Sequence, residues 1–348
     1  MQLPPFHPSR PDLVRPVRVD PAGIGGPTPK QARGPCWRRT TRGFYVPADV
    51  ERSAEQRIVE AAVTLPSDGA ITGWAALRWW GARWSDGLGA DGLAERPVVL
   101  ASCDQDLRPQ PGTALSQERL APSEIVVHHG LRVVIPVRAV FFEMRYAAEV
   151  REAVAHLDMA AYDDLVSRDE AWRYALAHPG WTGVPQAREA VVLADENTWS
   201  PRETWLRLLW QLDAGLPPVL TNRPIFDLGG HHVATADLIE PEAGLVVEYD
   251  GDLHLSRHRR RHDLALEHEL RQHGLEHVVV VAGDAADVPR VVDRLVATHR
   301  RARATPRPRS WTLDPPRWWQ PSVTVEQRRR LTGRPLAAVR DLRRRTAS

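Results

Sequence analysis

Apolar positions change their period several times along the chain, and the changes mark out its elements. Residues 1–27 are rich in proline and arginine and hold no sustained period, which predicts a flexible arm. PKQARG, from Pro29, predicts a short helix. CWRRTTRGFYVP after it predicts two short strands around Thr40-Thr41-Arg42-Gly43, with basic and aromatic side chains interleaved. In residues 50–65, Ile58, Ala61, Ala62 and Leu65 recur at helical spacing. GAITGWAALRWWGARW predicts a second helix, whose stripe of Trp74, Trp79, Trp80 and Trp84 reads as core rather than as a base-stacking platform. Strand patterns follow at Pro97–Ala101 and Ile125–Val137. Helical patterns then run through Ala139–Leu157 and on to about Leu193.

From Thr198 the pattern becomes α/β. SPRETWLRLLWQL opens with Ser200 as N-cap and Pro201 at the first helical position. Strands are expected at Val219–Leu228, Val233–Ile239 and Leu245–Asp250, the first two joined by the Gly229-Gly230 turn. A helix over Arg257–His273, a strand at His277–Ala282 and a helix over Val288–His299 complete an α-β-β-β-α-β-α order. Beyond Thr305 the chain is proline-rich again and ends in a basic helical stretch, Val325–Arg345.

Composition narrows the chemistry. Cys36 and Cys103, the only cysteines, stand far apart, which excludes a disulfide framework and a cysteine-based zinc site. Lys30 is the only lysine, so no P-loop, Schiff-base or kinase-type lysine is available beyond the N-terminal region. MQLPPFHPSRP lacks the apolar core of a signal peptide, and no run of about 18 apolar residues occurs; a cytoplasmic protein with no membrane partner is expected. The net charge of +2 conceals basic ends around an acidic middle. Residues 301–348 hold thirteen arginines against three acids, and residues 1–50 hold eight basic groups against three acids. Such ends suit an anionic partner, DNA first among them.

The strand LVVEYDG alternates, with Leu245, Val247 and Tyr249 on one face and Val246, Glu248 and Asp250 on the other. Asp237 ends the preceding strand of the hairpin and reaches the same place. Three converging carboxylates repel one another, and a hard divalent cation, Mg2+ or Mn2+, removes the repulsion. The plainer alternative is a set of solvent-facing acids on an edge hairpin. Glu203 is a fourth acid, but Ser200-Pro201-Arg202-Glu203 is also a capping box, and the two roles are compatible. In GDLHLSRHRRRHD, His254, His258 and His262 recur every fourth residue. Arg257, Arg259, Arg260 and Arg261 between them disfavour zinc and favour a phosphate-binding strip, with His254 as candidate acid, base or phosphate ligand. Acids that hold metal beside arginines that hold phosphate describe phosphodiester hydrolysis.

SPRETWLRLLW, ATADLIEPEAGLVVEYDGDLH and RRRHDLALEHELRQHGLEHVVVV together resemble the very-short-patch-repair-endonuclease-like branch of the PD-(D/E)XK nuclease superfamily. The resemblance implies an α/β fold with an αβββαβ restriction-endonuclease-like core. It also implies metal-binding acids at Glu203, Asp237, Glu248 and, near them, Asp250. Asp250 stands where the superfamily has a lysine, and the branch's histidine points to His254. Leu266 stands where an arginine usually follows in the long helix. WRRTTRGFYVP, AITGWAALRWWGA, VVIPVRAVFFEM and HLDMAAYDDLVS resemble the AbiEi-type antitoxin domain of type IV toxin–antitoxin systems. That likeness implies a mostly helical α+β domain with a winged-helix remnant. Arg38, Arg39 and Arg42 on its wing would face DNA, and the domain would dock a cognate protein partner. The expected organisation is a flexible arm at 1–27, the AbiEi-like domain at 28–195, the nuclease-like domain at 196–303 and a basic tail at 304–348. Two functions follow: a metal-dependent DNA endonuclease, or a non-catalytic DNA-binding regulator of the antitoxin kind with a degenerate nuclease domain.

Overall fold

The structure, a computed structural model, describes residues 5–89, 91–103, 107–251, 257–305 and 307–346. In chain order the elements begin β1 (Pro5–His7), β2 (Arg10–Val14), β3 (Val17–Arg18), β4 (Trp37–Thr41), β5 (Phe44–Pro47), α1 (Ala54–Ala62), β6 (Ala70–Thr72) and α2 (Gly73–Trp80). Next come β7 (Val98–Ala101), β8 (Thr113–Ser116), β9 (Ile125–His128), β10 (Leu131–Val134), α3 (Pro136–Tyr146), α4 (Val150–Tyr162), α5 (Arg168–Ala177) and α6 (Val184–Leu193). The rest are α7 (Pro201–Leu208), β11 (Leu220–Asp227), β12 (His232–Glu240), β13 (Leu245–Asp250), α8 (Arg257–Gln272), β14 (Glu276–Val281), α9 (Val288–Ala304), β15 (Trp311–Thr312), α10 (Val325–Arg329) and α11 (Gly333–Thr346). The class is mixed α/β. Among the described residues no helix is long and apolar enough to cross a membrane.

The chain divides into two compact units, Met1–Ala147 with Glu170–Ala187, and Ala148–Asp169 with Arg188–Ser348. Where a single boundary near residue 195 is expected, the chain passes between the units three times within the helical region, after Ala147, Asp169 and Ala187. The first unit combines helices with several strands. It holds a five-stranded sheet in the order β8-β7-β6-β10-β9 and a three-stranded sheet β3-β5-β4. The expected strand at Ile125–Val137 is a hairpin instead, because His129 and Gly130 both take positive φ (43° and 81°) between β9 and β10. Pro136 then opens α3 at a position where its missing N–H costs nothing.

The tryptophan stripe of α2 is core, as its spacing implied: Trp74 and Trp79 are buried. Three of the four indole N–H groups also find a carbonyl, while that of Trp84, just past the helix, has no hydrogen-bond partner among the described residues. Trp74 donates to Pro97 (2.8 Å), Trp79 to His128 (2.8 Å) and Trp80 to Val134 (2.9 Å), which ties the helix to the ends of the sheet. The N-terminal segment is not a free arm. β1 pairs with β2, Leu13 is buried, and the Gln56 side chain bonds both the N–H and the carbonyl of Val14 at 3.0 Å. Proline, with its fixed φ and absent N–H, suits such short edge strands, so its abundance is a poor sign of disorder here.

In the second unit the sheet order is β14-β13-β12-β11-β15, with β13 and β14 parallel and the other neighbours antiparallel. Leu206, Leu209 and Trp210 at the end of α7 and just beyond it, with Val291 and Leu295 of α9, pack on one face against Leu238, Leu245 and Val247. Leu270 of α8 packs on the other face with Ala236, Ile239 and Val246. β15 adds Trp311, also buried, to that second core. The expected basic tail thus carries structure. The Arg328 guanidinium is buried and bonds the Asp164 carboxylate (2.6 Å) and the carbonyls of Ala161 (2.7 Å) and Glu196 (3.1 Å). Arg343 is buried against Tyr162. Guanidinium groups committed in this way are not available to an outside anion.

Candidate functional site

Asp237, Glu248 and Glu203 converge where the sheet of the second unit opens. β12 and β13 are paired only as far as Leu238↔Val247, whereas β13 stays paired to β14 through Asp250↔Val281. The β11–β12 ladder has pairs at Thr221↔Leu238 and Arg223↔Ala236 and skips Asn222 and Asp237 between them. Asn222 takes a left-handed conformation (φ 44°), which asparagine tolerates better than most residues. Alternation breaks at the same level. Ala236 faces one core and Leu238 the other, so Asp237 sits at the switch. Its Oδ2 accepts the Tyr249 N–H at 2.8 Å and caps the parting strands.

Glu203 is buried in the first turn of α7, where half of the expected capping box forms: Ser200 caps the helix, but the Glu203 carboxylate takes the Trp199 N–H rather than that of Ser200. Ser200 Oγ accepts the Glu203 N–H (3.2 Å) and donates to its Oε1 (3.0 Å). Oε2 accepts the Trp199 N–H (2.8 Å) and the Asn222 side-chain amide (2.6 Å). Asn222 also donates to the Asn197 carbonyl (2.8 Å), and Asn197 in turn donates to the carbonyls of Thr221 (2.7 Å) and Asn222 (3.1 Å). Behind this lies a second buried acid, Asp158, bonded to Arg207 (2.7 Å), to Thr204 (2.9 Å) and to the Asp195 N–H (2.8 Å).

The electrostatics show the cost of this arrangement. Burial pushes the Glu203 carboxyl up to about 7, with Asp158 adding to the rise against the three hydrogen bonds that oppose it. Burial pushes Asp158 up to about 6 despite Arg207. Burial, then the neighbouring carboxylates of Glu203 and Glu248, raise Asp237 well above the ordinary range. Glu248, half-buried, receives a compensating contact: His277 Nε2 lies 3.0 Å from its Oε2.

No protein-family model, curated protein or solved structure matches the chain.

The expected site residues therefore divide. Asp237, Glu248 and Glu203 come together, and Asp250 is half-buried at the same end of β13, level with Val281. His254 lies outside the described residues, and so do the side chains of Arg257, Arg259, Arg260 and Arg261. Leu266 packs into the core under α8. On the wing, Arg38 is engaged by Glu60 through two bonds (2.8 and 3.0 Å), whereas Arg39 and Arg42 are exposed.

Among the described residues no three His, Cys, Asp or Glu side chains are arranged to hold a metal ion. Glu203 gives both its oxygens to protein donors. Asp237 and Glu248 each use one oxygen on a protein partner and, among the described residues, have no hydrogen-bond partner for the other. Magnesium usually takes only one or two carboxylates, with water and phosphate completing its shell. The pair fits that share, and Glu203 fits a positioning role beside it. Asn222, Asp158 and Arg207 carry no local sign of their roles, because their partners are distant in the chain. His277 had one sign, a histidine opening an otherwise apolar VVVV strand.

Proposed function

We propose that the second unit is a metal-dependent DNA endonuclease of the PD-(D/E)XK kind, hydrolysing phosphodiester bonds. The observation that carries this reading is the Asp237 carboxylate, held at the point where β12 and β13 part and raised by two neighbouring acids. The α7-β11-β12-β13-α8-β14 order, with β14 parallel beside β13, supports it as the αβββαβ core that the sequence resembles. Asp237 and Glu248 would hold Mg2+ or Mn2+, which when bound polarises the phosphate and lowers the pKa of an attacking water. His277 holds Glu248 in place, and Ser200, Trp199 and Asn222 fix Glu203 behind Asp237. The first unit, with Arg39 and Arg42 exposed on its β4–β5 hairpin, would bring the chain to DNA or to a protein partner.

Single-turnover cleavage of duplex and single-stranded DNA with manganese tests the proposal. The wild type should cut, Asp237→Asn and Glu248→Gln should not, and both variants should still bind DNA. His254→Ala should slow cleavage by about 10²–10⁴-fold if it moves the proton. One observation favours a second reading, a DNA-binding regulator with a degenerate nuclease domain: Glu203 is fully occupied by protein donors, leaving two carboxylates for metal. Tight DNA binding with no cleavage of any substrate by the wild type would establish that reading and end the first.

A further inference from the structure

The first unit holds a recess of about 300 Å³ between β4, α1 and the turn that leads into β8. Arg38, Arg39, Arg52 and Arg57 line it, against one lining carboxylate, Glu60. The four cations are held differently. Arg38 is clamped by Glu60, and buried Arg57 is fixed by the carbonyls of Gly87 (3.3 Å) and Arg96 (2.5 Å). Arg52, half out in solvent, pairs through both terminal nitrogens with Glu95 (2.9 and 3.2 Å), an exchangeable surface pair that Arg57 also approaches at 3.6 Å. Exposed Arg39 has one bond among the described residues, from Nε to the Thr41 carbonyl (3.3 Å), which leaves both its terminal nitrogens to donate.

Thr41, another lining residue, is 4% exposed, and its hydroxyl has no hydrogen-bond partner among the described residues. A buried hydroxyl left unpaired is destabilising. Four guanidinium groups also share only two carboxylates, Glu60 and Glu95, which leaves an excess of positive charge. An anion with several acceptor oxygens answers both problems at once. The recess is of the size that encloses a small ligand rather than a flat track along which a duplex backbone runs. A phosphate with three free oxygens, at the end of a chain or on a single nucleotide, matches the number of donors better than an internal diester does.

We propose that this recess binds the phosphate monoester of a nucleotide, free or at the 5′ end of a strand, with Arg39, Arg52 and the Thr41 hydroxyl as its donors. The site stands independently of the nuclease reading. It is tested by calorimetry and thermal shift on the full chain at fixed ionic strength. The probes are 5′-AMP against adenosine, and a short single-stranded oligonucleotide with a 5′-phosphate against the same strand with a 5′-hydroxyl. At least one monoester should bind saturably and raise the melting temperature, while its dephosphorylated counterpart does not. Binding of AMP alone marks a free nucleotide as ligand, binding of the phosphorylated strand alone marks a strand end, and either upholds the site.

Arg39→Gln should weaken that binding about tenfold or more, the loss of one charge-assisted hydrogen bond. Thr41→Val should also weaken it while leaving the unliganded chain as stable as the wild type, because it removes a hydroxyl that has no partner. Asp237→Asn should bind the monoester as the wild type does, which separates failure here from failure of the nuclease reading. Equal binding of the phosphorylated and dephosphorylated probes, or unchanged affinity in both Arg39→Gln and Thr41→Val, overturns the proposal.

Discussion

Replacing Glu203 by glutamine should stabilise the second unit at pH 8 and leave it nearly unchanged at pH 5. The folded carboxyl titrates near 7 against an ordinary value of 4.5. Below 4.5 it is protonated in both states and contributes nothing to the pH dependence. Between 4.5 and 7 the folded chain keeps a proton that the unfolded chain has lost, so stability falls as pH rises, by about 1.4 kcal/mol per pH unit. Above 7 the loss is complete, about 3 kcal/mol. Glutamine removes the charge and can keep the hydrogen bonds. Its carbonyl takes the Trp199 N–H and the Asn222 amide that now share Oε2, and its NH2 donates to Ser200 Oγ once that hydroxyl turns round. Exchanging a charged acceptor for a neutral one costs about 1 kcal/mol. The net gain at pH 8 is then about 1–2 kcal/mol. Urea unfolding at pH 5, 6, 7 and 8 in chelator reads it directly. Asp158 and Asp237 keep their own pH dependence, so the difference between variant and wild type is the quantity to follow. A difference that stays flat from pH 5 to pH 8 would refute the reasoning, because the buried charge would then not be the cost.

Two further outcomes are expected. Magnesium or manganese should raise the melting temperature of the wild type by neutralising Asp237 and Glu248, and Asp237→Asn should lose that gain; equal responses would remove Asp237 from the metal site. Arg328→Ala should cost about 3–5 kcal/mol in urea unfolding because it strands Asp164 and several carbonyls, whereas Arg330→Ala, which breaks only an exposed pair with Glu326, should cost at most about 0.5 kcal/mol.

Local sequence signals located α7 to α9 and the four strands between them, but not β15. Strict alternation in LVVEYD put Leu245 and Val247 in one core and Val246 in the other, as the structure has them. Ser200-Pro201-Arg202-Glu203 announced its own N-cap, because the cap, the proline and the capped N–H all lie within one turn of chain. The tryptophans of α2 read as core for the same reason, their helical spacing being local. Interactions that join distant parts of the chain had no such sign. Nothing within a few residues of Asp158 marks Arg207 as its partner, and Arg328 reaches Asp164 across 164 positions. Pro-rich and Arg-rich ends look alike whether they are solvated or built in. Burial of Leu13, Trp311 and Arg328 is decided by what lies against them, and only the folded chain supplies that. Asp237 is the sharpest case. Sequence placed a carboxylate at a strand end, but the tertiary structure set its chemistry, by skipping a ladder position at Asn222 and bringing Glu203 alongside it.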